Sequence, residues 1–239
     1  MTDVHETWTV LPRGPLTRVD DGILTVTGTL KMPLVHLERR MTVIRLAYGS
    51  SVIYSAVALD EDEMQQIEAF GTPRYLIVPG IAHRVDAKIF KQRYPSIRVI
   101  APEGARERVA KAVPVDAAGA DFADPDVTLL TVPGTKGYEA ALVVRRASGT
   151  TLILNDLIGN LRRKDGFEGW LLHLMGFGGA APQIPTVEKL FMVGDKAALR
   201  VQLLAWADEP GLVLILMSHG EPIEHDPVGA LRTLADTLQ

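Results

Sequence analysis

The sequence predicts a mixed α/β chain in which two sheets pack face to face with helices on both outer sides, a four-layer αββα sandwich. Two observations lead there. Short runs rich in Val, Ile, Leu and Thr, bounded by Gly, Pro and Asp, recur along all 239 residues and alternate with amphipathic or charged helical stretches. Each half of the chain also opens with strands joined by tight turns and then passes into helix–strand alternation, which implies parallel strands with crossover helices.

The elements follow in order. Gly22 to Leu30 (GILTVTGTL) has the β-branched composition of a strand. Met41 to Ala47 and Ser51 to Ala58, separated by Tyr48-Gly49-Ser50, predict a hairpin. Asp60 to Phe70 opens with acids, which favour a helix N-terminus, and places Met64, Ile67 and Phe70 on one face. A strand over Arg74 to Val78 ends at Pro79-Gly80. Helix, strand and charged helix then follow over Asp86 to Tyr94, Ile97 to Ile100 and Pro102 to Ala112. After the small, acidic stretch Val115 to Pro125, the spans Val127 to Val132, Ala140 to Arg146 and Thr150 to Asn155 predict strands. Ala197 to Ala207, Gly211 to Met217 and Val228 to Leu238 predict helix, strand and helix.

We expect one domain over residues 1–239, with residues 1–38 as an N-terminal extension carrying the first strands. Residues 161–185 form an apolar insertion, within which Gly169 to Gly179 (GWLLHLMGFGG) is apolar all round. A lid over a pocket, or a homo-oligomer contact through Trp170 to Phe177, is the expected role, since large apolar patches have partners.

Composition excludes several functions. The net charge of −4, with Lys and Arg scattered, provides no basic stripe for nucleic acid. Cysteine is absent, so disulfides, thiolate metal sites and a Cys nucleophile are excluded, and any metal rests on His, Asp or Glu. The N-terminal residues lack a signal-peptide pattern and no apolar run reaches the roughly 18 residues of a membrane span, so a cytoplasmic protein is expected. Gly-X-Gly-X-X-Gly, the Gly-Lys-Ser/Thr phosphate loop and Gly-X-Ser-X-Gly are all missing.

What remains is a set of strand ends. The run Thr150 to Asn155 stops abruptly at Asp156 and is followed by a Gly159-Asn160 turn. The turn after Val78 carries His83 and Asp86, and Leu216-Met217-Ser218 leads into His219-Gly220. Imidazole and carboxylate donors at strand ends suit a borderline divalent ion such as zinc, iron or manganese. The structural readings are Asp156 as a turn cap, Asp86 as the N-cap of the next helix, and the histidines as hydrogen-bonded residues. His173 reads as a core residue, and His5, His36 and His225 as solvated loop residues.

This order of elements and strand-end residues resembles the metallo-β-lactamase superfamily. Arg40-Met41-Thr42-Val43, Tyr75-Leu76-Ile77-Val78-Pro79 with His83, Tyr94-Pro95, Ala101-Pro102-Glu103-Gly104, Glu139, and Thr150 to Ile158 with Asn160 are similar to a ligand-depleted family at that superfamily's edge, common in bacteria. The resemblance implies an αββα sandwich with metal at the sheet edges. It aligns Asp156 with the bridging Asp and His219-Gly220 with the last ligand. In the His-X-His-X-Asp-His loop, Ile81 takes the first His place, His83 the second, Val85 the Asp place and Asp86 the last His place. Ser55 stands for a strand-end Asp, and Pro133-Gly134-Thr135 lacks the turn His.

One site would then keep only His83 and Asp156, and the other Asp86, Asp156 and His219, so at most one divalent metal is expected. The implied function is a single-metal hydrolase acting on a small molecule whose identity the sequence leaves open. The alternative is a metal-free binding or interaction protein on the same scaffold.

Overall fold

This computed structural model describes residues 4–32, 35–161, 166, 169–170, 176 and 181–239. The described residues define two sheets and six α-helices. The chain divides into two compact units, one mainly of residues up to Pro125 and the other mainly of residues from Asp126 onward.

The first unit holds β1 (Thr17–Asp20), β2 (Ile23–Met32), β3 (Val35–Arg45), β4 (Ser50–Tyr54), β5 (Thr72–Ile77) and β6 (Arg98–Ile100), which lie in the sheet in chain order. β3 and β4 form the expected antiparallel hairpin, with Thr42 opposite Tyr54. β4, β5 and β6 are parallel, which requires crossovers. α1 (Glu61–Phe70) makes the first, buries Met64, Ile67 and Phe70, and carries Glu61, Asp62 and Glu63 at its positive end. α2 (Ala87–Arg93) and α3 (Glu103–Ala110) follow β5 and β6.

The second unit holds β7 (Val127–Thr131), β8 (Ala140–Arg146), β9 (Gly149–Leu154) and β10 (Leu212–Met217), in the sheet order β10-β9-β8-β7. β7, β8 and β9 form an antiparallel meander, and β10 joins β9 in parallel. α4 (Thr186–Phe191), α5 (Lys196–Ala207) and α6 (Pro227–Asp236) complete it. Leu199, Leu203 and Trp206 of α5, with Leu231 and Leu234 of α6, bury against Leu152, Leu154, Ile215 and Met217. Alternate residues of β9 and β10 therefore face this helical layer, as strand periodicity requires.

Two elements depart from expectation. β3 begins six residues earlier than the apolar run from Met41 indicates, because the polar stretch before it pairs nonetheless. α4 was not expected at all; none of its residues is buried, so it writes no apolar periodicity. Most of Gly169 to Gly179, including His173, lies outside the described residues; Trp170 is exposed. Among the described residues no helix is long and apolar enough to cross a membrane.

Candidate metal centre

In the second unit, β9 and β10 run parallel with Leu154 level with Met217. Asp156 lies two residues beyond Leu154 and His219 two beyond Met217, so equal register brings the two side chains together. His219 Nε2 and Asp156 Oδ1 are 3.1 Å apart. Two donors bound to one tetrahedral zinc at about 2.0–2.1 Å stand about 3.3 Å from each other, so this spacing suits a shared ion as well as a direct hydrogen bond.

The surroundings fix that geometry. Ser218 N–H donates to Leu154 O at 3.1 Å, extending the ladder past β10. Glu221 N–H donates to Asn160 O at 2.9 Å, and Asn160 Nδ2 donates to Glu221 O at 2.9 Å, tying together the two loops that follow the site residues. This close approach needs Gly220, whose φ is +96°; a Cβ there would lie 2.3 Å from Asn160 O. Gly220→Ala is expected to cost at least about 2 kcal/mol from backbone strain and collision, read as a lower urea midpoint.

Two further acids surround the pair. Glu139 is fully buried; its carboxylate accepts the Asn155 N–H at 2.6 Å and the Asp156 N–H at 3.2 Å. Burial first, and the Asp156 charge second, hold its carboxyl well above the usual range. Glu188 on α4 is pushed up to about 8, by burial and then by Asp156, with His219 opposing. Sequence reasoning missed Glu188, which sits on a helix without apolar periodicity, and singled out Glu139 only through the family resemblance.

In the first unit, His83 lies in a single 3₁₀ turn, Ile81–Arg84, after β5 and is fully buried. Its Nδ1 is 2.7 Å from Ser55 Oγ. Ser55 directly follows β4 and holds φ +60°, a left-handed conformation that costs a non-glycine residue on the order of 1–3 kcal/mol. Its N–H donates to Ile77 O at 3.0 Å, which keeps the ends of β4 and β5 together. Ser55 thus fixes one ring nitrogen of His83, the kind of support that a histidine ligand receives from a second partner.

Asp86 has a different neighbourhood. It occupies the N-cap position of α2 but makes no side-chain cap bond. One carboxylate oxygen pairs with the buried Arg39 guanidinium and accepts the Ala58 N–H at 3.2 Å. The other meets His5 Nδ1 at 2.6 Å. His5, expected to be a solvated loop residue, is half-buried here, because the N-terminal segment lies against α2. Its N–H donates to Val85 O at 2.9 Å, and the Trp8 and Phe90 rings stand 5.1 Å apart.

Asp156 and His219 thus meet within the second unit, while His83 belongs to the first. Asp86, also in the first unit, is engaged by Arg39 and His5.

No protein-family profile and no curated protein matches the sequence. Solved structures do match, and they show that the chain has the metallo-β-lactamase fold. The metallo-β-lactamase DIM-1, in a crystal exposed to ceftazidime, is 12% identical with a TM-score of 0.63, over 97% of this chain and 100% of that one. FIM-1 from Pseudomonas aeruginosa, solved in its mono-zinc form, is 15% identical with a TM-score of 0.59, over 95% and 96%. A metallo-β-lactamase from Hirschia baltica is 12% identical with a TM-score of 0.56, over 94% and 98%.

Proposed function

We propose that this protein is a single-metal hydrolase in which Asp156 and His219 hold one divalent ion, zinc, iron or manganese, with His83 as the third ligand. The observation that carries this reading is the 3.1 Å approach of His219 Nε2 to Asp156 Oδ1 on two strand ends in equal register. Two imidazoles and one carboxylate are a donor set that catalytic zinc uses, with a position left for water or substrate. FIM-1, similar in fold, is known in a mono-zinc form.

When bound, such an ion supplies Lewis acidity toward a carbonyl or phosphoryl oxygen and makes water more acidic. This chain's own residues do the rest. Asn155 Nδ2 donates to Asp156 Oδ2 at 2.8 Å and turns the other oxygen toward His219. Ser55 holds the His83 ring. Val85, which stands where the resemblance implies an Asp, offers no acid or base, and Glu188 is the nearby group able to hold a proton.

The second reading, a metal-free binding protein, is supported by the same 3.1 Å distance, because a direct hydrogen bond already satisfies both groups. Metal analysis of protein purified without a His tag, then reconstituted separately with zinc, manganese and ferrous iron, decides between them. About one equivalent after removal of free metal is expected. No retained metal from any of the three sinks the hydrolase and leaves the binding protein.

A further inference from the structure

We propose that Glu139 is a positioning residue for Asp156, clamping the backbone at the end of β9 so that the carboxylate is presented to the metal. This rests on the metal reading above.

The end of β9 is a place where a sheet ordinarily loosens. The paired register of β8 and β9 ends at Leu142 opposite Ile153, short of Asn155 and Asp156. Glu139, the residue just before β8, supplies the missing acceptors from its side chain. Oε1 takes the Asn155 N–H at 2.6 Å and Oε2 the Asp156 N–H at 3.2 Å. Glu139 is itself held in place, since its carbonyl accepts the Val132 N–H at 2.9 Å. One side chain thus fixes two consecutive peptide units, including the one that carries the candidate ligand.

The choice of residue argues for more than filling a strand end. Each of the two N–H groups meets a side-chain oxygen of Glu139, whereas a Gln must turn its NH₂ toward one of them. With both units fixed, the Asn155 side chain reaches back to Asp156 Oδ2, and Oδ1 is left at His219. Asn155 Oδ1, by contrast, is buried with no hydrogen-bond partner among the described residues, so the amide is oriented by its contact with Asp156 rather than by its own full satisfaction.

The test measures zinc binding by calorimetry and the Tm of the EDTA-treated protein for wild type, Glu139→Gln, Glu139→Ala and Leu203→Ala. Leu203 is a core residue of the same unit and serves as a control for general destabilisation. Glu139→Gln is expected to raise the zinc Kd by roughly 10–100-fold, the usual effect of losing a residue that supports a ligand. Its metal-free Tm should fall no further than that of Leu203→Ala. In amide spectra of metal-free protein, the Asn155 and Asp156 protons should move upfield. Leu203→Ala should lower the Tm and leave the zinc Kd unchanged.

Glu139→Gln with wild-type zinc affinity overturns the proposal. So does a loss of affinity that Leu203→Ala reproduces at equal Tm. Should Glu139→Ala fail to fold, Glu139→Gln still decides. A wild-type protein that binds no zinc, manganese or iron is a different result: it removes the metal reading itself and this role with it.

Discussion

Asp86→Ala is expected to destabilise the first unit by about 3–5 kcal/mol and to lower its Tm by roughly 10 °C. The cost does not come from a lost surface ion pair, which would be small. Arg39 and Asp86 are only 2% and 1% exposed, so truncating the acid strands a guanidinium in the interior. That guanidinium retains a bond to Ala56 O at 2.9 Å, and its Nε has no hydrogen-bond partner among the described residues. The Ala58 N–H and His5 lose an acceptor as well, which loosens the N-terminal segment from α2. Replacing both members, with Arg39→Met and Asp86→Leu, removes the stranded charge and should recover much of the loss. The same measurements separate a structural Asp86 from a ligand. If it is structural, Asp86→Ala protein that remains folded keeps its metal. Loss of metal at an unchanged Tm would make Asp86 a ligand and sink this account.

Asp86 also illustrates what the sequence can and cannot convey. Its place before a helix was legible, and both readings it suggested, cap and ligand, are local. Its actual partners are Arg39 and His5, 47 and 81 residues away in the chain, and no periodicity records such a pairing. Asp156 and His219 were legible for a physical reason. Each follows a largely buried strand, and a buried strand that stops at polar residues marks the sheet edge. The additional fact needed to join them, that β9 and β10 are parallel and level, follows from the helices between them. Glu188 had no such signal, since α4 buries nothing that would reveal a face. The hairpin of β3 and β4, the face of α1 and the apolar body of α5 were all readable because local pattern and tertiary burial agree there.

Asp156→Ala is expected to abolish metal binding, weakening zinc affinity by well over 100-fold while leaving a folded protein. Asp156 is the carboxylate of the proposed centre, and its loss leaves two imidazoles, one short of the three protein ligands a catalytic zinc ordinarily has. Thermal shifts read this directly. Zinc at 100 times its Kd should stabilise the wild type by about 2.7 kcal/mol, a Tm rise of several degrees, and should leave Asp156→Ala unmoved. In EDTA the two proteins should melt within a few degrees of each other, because two effects oppose. His219, nearly buried, loses its contact with Asp156. Glu139 and Glu188 are relieved of a neighbouring charge that holds both of their carboxyls high. A residue whose removal costs the apoprotein little and the metal complex nearly everything is one retained for binding rather than for folding. Zinc that stabilises Asp156→Ala as strongly as wild type would place the ion elsewhere and refute the centre proposed here.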